Sequence, residues 1–218
     1  MRNSHKNQIE LTLIRHGSTP GNIQKRYIGR TDEELSQEGK AQILKAYESH
    51  LYRQPDLLFS SPMKRCIETS ELLFPGMKME KVEDWRELDF GEFEGKNYME
   101  LSGDDRYQAW IDSGGTLAFP QGESREAFVD RTCRAFEKLL PTFMQDVDRV
   151  TAVVHGGSIM ALLSHYAGGD YFDYQVANGE GYKMLLTLES CRETELGPRG
   201  EGQIITSISR LTKLECRE

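Results

Sequence analysis

Two segments of this chain end in the same way. Residues 9–14 carry apolar side chains at 9, 11, 13 and 14 and run into Arg15-His16-Gly17, while residues 151–154 run into His155-Gly156-Gly157-Ser158. Short apolar runs of this kind read as strands buried on both faces. Such strands belong in a parallel sheet with helices packed above and below it. Residues 56–60 form another short apolar strand, and Met77, Met79 and Val82 suggest a further one.

Helical signals lie between these strands. Ser36 can N-cap a helix reaching about His50, with Ala41, Leu44, Tyr47 and Leu51 on its apolar face. Ser61-Pro62 reads as an N-cap and first-turn proline for a helix to Leu73. Two short helices are expected over 97–113, ended by Gly114-Gly115. The strongest helical period, over 123–145, puts Phe128, Thr132, Ala135, Phe136, Leu139, Leu140 and Phe143 on one face until Pro141 kinks or ends it. A helix to Tyr166 follows His155. Residues 182–188 and 203–211 alternate in part and predict antiparallel strands around a Gly/Pro-rich turn at 197–202. Strand–helix alternation over most of the chain predicts an α/β fold: a three-layer α/β/α sandwich with a mostly parallel sheet and an antiparallel edge strand. No domain boundary stands out, so residues 1–218 are expected to form one domain, with 1–8 a frayed polar tail.

Composition narrows the function. With 27 Lys+Arg against 35 Asp+Glu the net charge is −8, which argues against a nucleic-acid partner. No apolar run approaches 18 residues, so no membrane helix is expected, and the polar N-terminus does not read as a signal peptide. Cys66, Cys133, Cys191 and Cys216 are scattered without a CxxC pair, which favours reduced thiols in a cytoplasmic protein. An anionic substrate would need a locally positive pocket.

In open α/β sheets, ligands sit beyond the carboxyl ends of the strands, and His16 and His155 are both expected there. Each alone also reads as a structural histidine closing a strand. Arg15 could bind an anion beside His16, and the helix start at Gly156 offers N–H groups to a phosphate. Arg65, in the first turn of a helix after a strand, presents a fork suited to phosphate oxygens, although a lone arginine there also reads as a surface residue. Between Trp85 and Gly95, Glu87, Asp89, Glu92 and Glu94 alternate with aromatics and glycine. A carboxyl against aromatic surface gains a raised pKa and can act as a general acid; the other reading is a solvated acidic loop.

Taken in order, these elements resemble the histidine phosphatase superfamily, in the branch of phosphoglycerate mutase-like and alpha-ribazole phosphatase-like proteins. The matching residues are Leu13-Ile14-Arg15-His16-Gly17 with Asn22; Tyr27-Ile28-Gly29-Arg30-Thr31-Asp32 with Leu35-Ser36 and Gly39; Ser60-Ser61-Pro62 with Arg65 and Thr69; Glu87 with Gly91 and Gly95; Pro120 and Gly122-Glu123-Ser124; and Val154-His155-Gly156-Gly157. The resemblance implies a phosphoglycerate mutase-like fold and a phosphohistidine on His16. It implies that Arg15, Arg65 and His155 surround the phosphate, with Asn22 and the Gly156 N–H donating to it. Glu87 would protonate the leaving oxygen and then help activate water, and a backbone carbonyl would fix the His16 tautomer. Ser18 stands where the family usually has Glu, with Thr19 matching the Ser or Thr that follows; Ser18, Thr19 and Gly29 complete the implied phosphate- and substrate-binding set. Glu34 departs from the usual small residue or proline before Leu35. No metal or cofactor is implied.

The expected activity is phosphomonoester hydrolysis, on alpha-ribazole-5'-phosphate in cobalamin biosynthesis or on a broad set of small phosphate esters. The alternatives are a cofactor-dependent phosphoglycerate mutase and a non-catalytic phosphate-binding protein. Mutases of the family carry a longer insertion with an Arg-Arg pair between acid and second histidine; here 67 residues separate Glu87 from His155, and Arg-Arg is absent. Both His16 and Glu87 are present, against the non-catalytic reading. Lys25, Arg26 and Arg30 either cover the substrate or form a solvated basic loop. Tyr98, Trp110 and Phe119 line the leaving-group pocket or belong to the core. Cys66 beside Arg65 is either an activated thiol or a small buried apolar residue. His5, His50 and His165 have no partner at metal-ligand spacing. The expected partner is a small phosphorylated metabolite, with no nucleic acid or membrane, and the chain is expected to be a monomer or homodimer.

Overall fold

The computed structural model describes residues 8–143, 147–191 and 202–215. Its strands are β1 (Gln8–Arg15), β2 (Leu57–Ser60), β3 (Met79–Lys81), β4 (Arg149–Val154), β5 (Gly181–Cys191) and β6 (Gly202–Leu214). Its α-helices are α1 (Pro20–Ile23), α2 (Gln37–Glu48), α3 (Lys64–Leu73), α4 (Asp105–Asp112), α5 (Arg125–Phe143) and α6 (Gly156–Tyr166). The strands form one sheet in the order β3-β2-β4-β1-β5-β6. β1 to β4 are mutually parallel where they pair, β5 is antiparallel to β1, and β6 is antiparallel to β5. The antiparallel edge is therefore a pair of strands.

Alternate residues along the strands feed two cores. Leu13, Phe59, Ala152 and Val154 pack with Phe136, Leu140 and Ile159 of α5 and α6. Ile14, Leu58 and Val153 pack with Ile43, Ala46, Cys66 and Leu73 of α2 and α3. This is the period of two expected of a pleated strand whose both faces are covered. The register pairs Arg15 with Val154 and Ser60 with Val153. His16, His155 and Ser61 thus leave three neighbouring strands at one carboxyl edge.

The buried face of α5 is the periodic one, with Cys133 added, and Pro141 sits in its last described turn. Four local expectations are corrected. The apolar face of α2 is Gly39, Ile43 and Ala46, while Leu44 and Tyr47 are 43% and 44% exposed. Two of the inward positions are small because α2 lies close on its neighbours: a Cβ at Gly39 would stand 2.1 Å from the Ser18 carbonyl oxygen. Ser61 does not cap α3; that helix starts at Lys64, whose N–H donates to Asp32 Oδ1 (2.8 Å) from a distant loop. Only α4 forms in the 97–113 segment. Gln8 belongs to β1 rather than to a tail, while residues 1–7, with His5, lie outside the described residues, as does 197–201 of the expected turn. No helix among the described residues is long and apolar enough to cross a membrane.

Candidate active site

The site grows from the ends of β1 and β4. The rings of His16 and His155 lie 5.2 Å apart, nearly edge to face, and both residues are buried. His16 Nδ1 lies 2.8 Å from the Gly17 carbonyl oxygen. A carbonyl only accepts, so Nδ1 carries the proton and Nε2 keeps a lone pair. Burial, and then the fields of Arg65 and Arg15, hold the His16 pKa well below 6.5. Burial and the Arg65 guanidinium do the same for His155, whose Nε2 lies 2.8 Å from the Ser61 hydroxyl.

Arg65 is fully buried, and its terminal nitrogens donate to Thr31 O and Gly29 O, each at 2.8 Å. Arg15 donates through Nη1 to Val176 O (2.7 Å). The Nε of each arginine is buried without a hydrogen-bond partner among the described residues. A buried unsatisfied donor costs about 1–3 kcal/mol, so an acceptor placed between these groups is stabilising. Gly156 packs against the Arg15 guanidinium: a Cβ there would lie 3.4 Å from Arg15 Nε.

Glu87 is buried, and burial raises its pKa from 4.5 against the opposing pull of the Leu88 N–H, Arg65, the Gly157 N–H and Arg15. Leu88 N–H donates to Oε1 (2.9 Å) and Gly157 N–H to Oε2 (3.3 Å). Glycine at 157 leaves room for this carboxyl, because a Cβ there would stand 2.4 Å from Glu87 Oε1 and push it aside.

The remaining candidates arrange the backbone around His16. Thr19 N-caps α1 and accepts from Asn22 N–H, while Asn22 Oδ1 accepts from Thr19 N–H (3.2 Å). Ser18 O accepts from Ser36 N–H (2.9 Å). Gly29 directs its carbonyl to Arg65 and its N–H to Glu94. Asn178, which the sequence reading missed, donates to Asn22 Oδ1 (3.0 Å) and to His16 O (3.1 Å). It lies in the loop before β5, more than 150 positions from either partner, and no local signal marks it.

A cavity of about 370 Å³ opens from Arg15, Glu87 and Gly156 outward. Its walls include Tyr27, Phe90, Trp110, Phe119, Tyr171 and Phe172, with Arg125 on one side. Trp110 and Phe119 therefore line it, whereas Tyr98 lies with Lys25 and Arg26 in a neighbouring cavity. Arg26 is paired with Glu100 (2.7 Å) and Arg30 with Asp89 (3.0 Å). The Cys66 thiol is pushed up to about 12 by burial despite Arg65, so it is the small apolar residue of the two readings. Among the described residues no group of three His, Cys, Asp or Glu side chains is placed to hold a metal ion.

The structure is an α/β fold that pairs two histidines at the carboxyl ends of neighbouring parallel strands. The family model of the histidine phosphatase superfamily (branch 1) matches residues 11–197, and the chain belongs to that superfamily. It is 30% identical over 160 residues to the uncharacterized phosphatase PhoE of Bacillus subtilis (strain 168), covering 72% of this chain and 77% of that protein. Among solved structures it is similar to a phosphoglycerate mutase of Thermus thermophilus (30% identity, TM-score 0.62, 80% of this chain and 92% of that one). It also shares the fold of the alpha-ribazole phosphatase of Shigella flexneri (22% identity, TM-score 0.71, 90% and 95% covered). The chain is an enzyme of this superfamily.

Proposed function

We propose that the chain hydrolyses small phosphomonoesters through a phosphohistidine. His16 Nε2 attacks phosphorus as the ester P–O bond breaks, and Glu87 gives its proton to the leaving oxygen. Glu87, now a carboxylate, takes a proton from water as that water attacks the phosphohistidine and the P–N bond breaks. Arg15, Arg65, His155, Asn22 and the Gly156 N–H stabilise charge on the equatorial oxygens. Ser61 and Thr19 hold His155 and the His16 loop in place.

One observation carries this reading. The cavity is lined by Arg15, Gly156 and the buried Glu87 carboxyl, so an ester whose phosphate meets Arg15 has its bridging oxygen beside an acid. The aromatic walls favour a leaving group that carries a flat aromatic ring, as the base of alpha-ribazole-5'-phosphate does, over a short glycerate. The absence of an Arg-Arg pair supports hydrolysis over mutase chemistry. Cys66 and Cys133 are free and buried, which fits a reducing, cytoplasmic setting.

The test is a turnover panel containing alpha-ribazole-5'-phosphate, an aryl phosphate, and 3-phosphoglycerate with 2,3-bisphosphoglycerate. Phosphate release fastest from the ribazole ester is expected. Equal rates on ribazole and aryl esters would reduce the reading to a broad phosphatase, and phosphoglycerate interconversion without phosphate release would overturn hydrolysis.

A further inference from the structure

Arg65 is a fully buried charge, yet backbone carbonyls rather than a carboxylate orient it: Gly29 O and Thr31 O, each 2.8 Å from a terminal nitrogen. Those carbonyls belong to a stretch between α1 and α2 with no regular structure of its own. A guanidinium held this way is placed only as accurately as the loop that holds it.

Glu94 is the side chain that holds the loop. Its Oε1 accepts from the N–H of Gly29 (2.9 Å) and of Arg30 (2.8 Å). Its Oε2 accepts from the Thr31 hydroxyl (2.7 Å) and from Thr31 N–H (3.4 Å). Gly29 and Thr31 therefore face Arg65 with their carbonyls and Glu94 with their donors. Phe90 N–H also donates to Oε1 (3.4 Å), which ties the same carboxylate to the segment that carries Glu87. The packing leaves no slack at Gly29, where a Cβ would meet Leu88 O at 2.0 Å and Glu94 Oε1 at 2.4 Å. Glu94 itself is not among the residues that line the aromatic cavity.

We infer that Glu94 is a positioning residue for Arg65: its carboxylate fixes the 29–31 loop so that two carbonyls aim the guanidinium at the phosphoryl group. This rests on the reading of Arg65 as a phosphate ligand. A glutamine at 94 keeps the shape but replaces one acceptor oxygen with an NH₂ that faces donors, so the grip on one side of the loop is lost.

The experiment compares the wild type, Glu94→Gln, Arg65→Lys and the double variant. The readouts are hydrolysis of an aryl phosphate and the inhibition constant of orthovanadate, a mimic of the transferring phosphoryl group, with melting temperature as the folding control. Displacement of a catalytic group by a fraction of an ångström to 1 Å costs on the order of tenfold to a hundredfold. Glu94→Gln is expected to lose that much in kcat/KM and the same factor in vanadate affinity, and the double variant to be no worse than Arg65→Lys alone. Wild-type vanadate affinity in Glu94→Gln, or losses that multiply in the double variant, would overturn the inference. Wild-type turnover in Arg65→Lys would instead overturn the phosphate-site reading beneath it. If Glu94→Gln does not fold, Thr31→Val decides, because it removes only the hydroxyl donor. A loss of about fivefold in vanadate affinity supports the inference, and no change defeats it.

Discussion

Burial moves the histidines and Glu87 in opposite directions, because it disfavours whichever form is charged. His16 and His155 stay neutral to lower pH, while Glu87 keeps its proton to higher pH. That combination is a lone pair on the proposed nucleophile and a proton on the proposed acid. We expect Glu87→Gln to lose about 10²–10⁴-fold in kcat on alkyl phosphates and to keep the first-turnover burst of p-nitrophenol from p-nitrophenyl phosphate, whose leaving group needs no proton, because only the later attack of water then lacks its base. In a kcat/KM profile the same variant should lose its alkaline limb, and an unchanged limb would assign that titration to another group. Stability follows the same shifts. Each histidine, with its folded pKa below 6.5, contributes stability present above pH 6.5 and lost as pH falls through the folded value. Glu87 has the opposite sign: its contribution is full below 4.5 and is lost as pH rises through its raised value. We expect urea midpoints to fall below pH 6.5, and to fall less steeply in His155→Asn.

At the scale of elements, small residues decided what apolar pattern could not. Along α2 the set Ala41, Leu44 and Tyr47 is as periodic as Gly39, Ile43 and Ala46, but close approach selects the face without bulk. We expect Gly39→Ala to cost about 1–3 kcal/mol through overpacking against Ser18. Leu44→Ala, five residues further along on the exposed side, should stay within about 0.5 kcal/mol. Urea unfolding of the two variants measures the difference, and equal costs would mean that α2 packs on its other face. The start of α3 has a similar origin. Ser61 offered a local cap, but Asp32 supplies one across space, and the Ser61 hydroxyl lies against His155 instead.

The whole molecule carries a net charge of −8 around a locally cationic centre. Arg15, His16 and His155 converge because the strands that deliver them are neighbours in register, and the start of α3 adds Arg65; Glu87 is the buried carboxyl among the described residues, and the other acidic side chains are at least partly exposed. An anion bound there should stabilise the fold by mass action. Orthovanadate at about 100 times its Kd is expected to add about 2.7 kcal/mol to the unfolding free energy, seen as a rise in Tm. Arg65→Lys should reduce that rise, and an equal rise in both proteins would place the anion at another site.

Much of this was legible along the chain, because strand ends, helix periods and His-Gly junctions are local. The two buried runs required a covered parallel sheet, and each delivered a histidine to its carboxyl end. The pattern marked four carboxylates among aromatics, Glu87, Asp89, Glu92 and Glu94, and only the family resemblance picked out Glu87. Asn178, the cap on Lys64, the Glu94 clamp and the aromatic cavity depend on residues far apart in sequence, and their local patterns read equally well as loop or core. The amino-acid order thus determined the layers and the kinds of group that reach the sheet edge. Only the tertiary structure decided how those groups face one another, because distances between strands and loops are set by packing, and pKa values follow from the burial that packing creates.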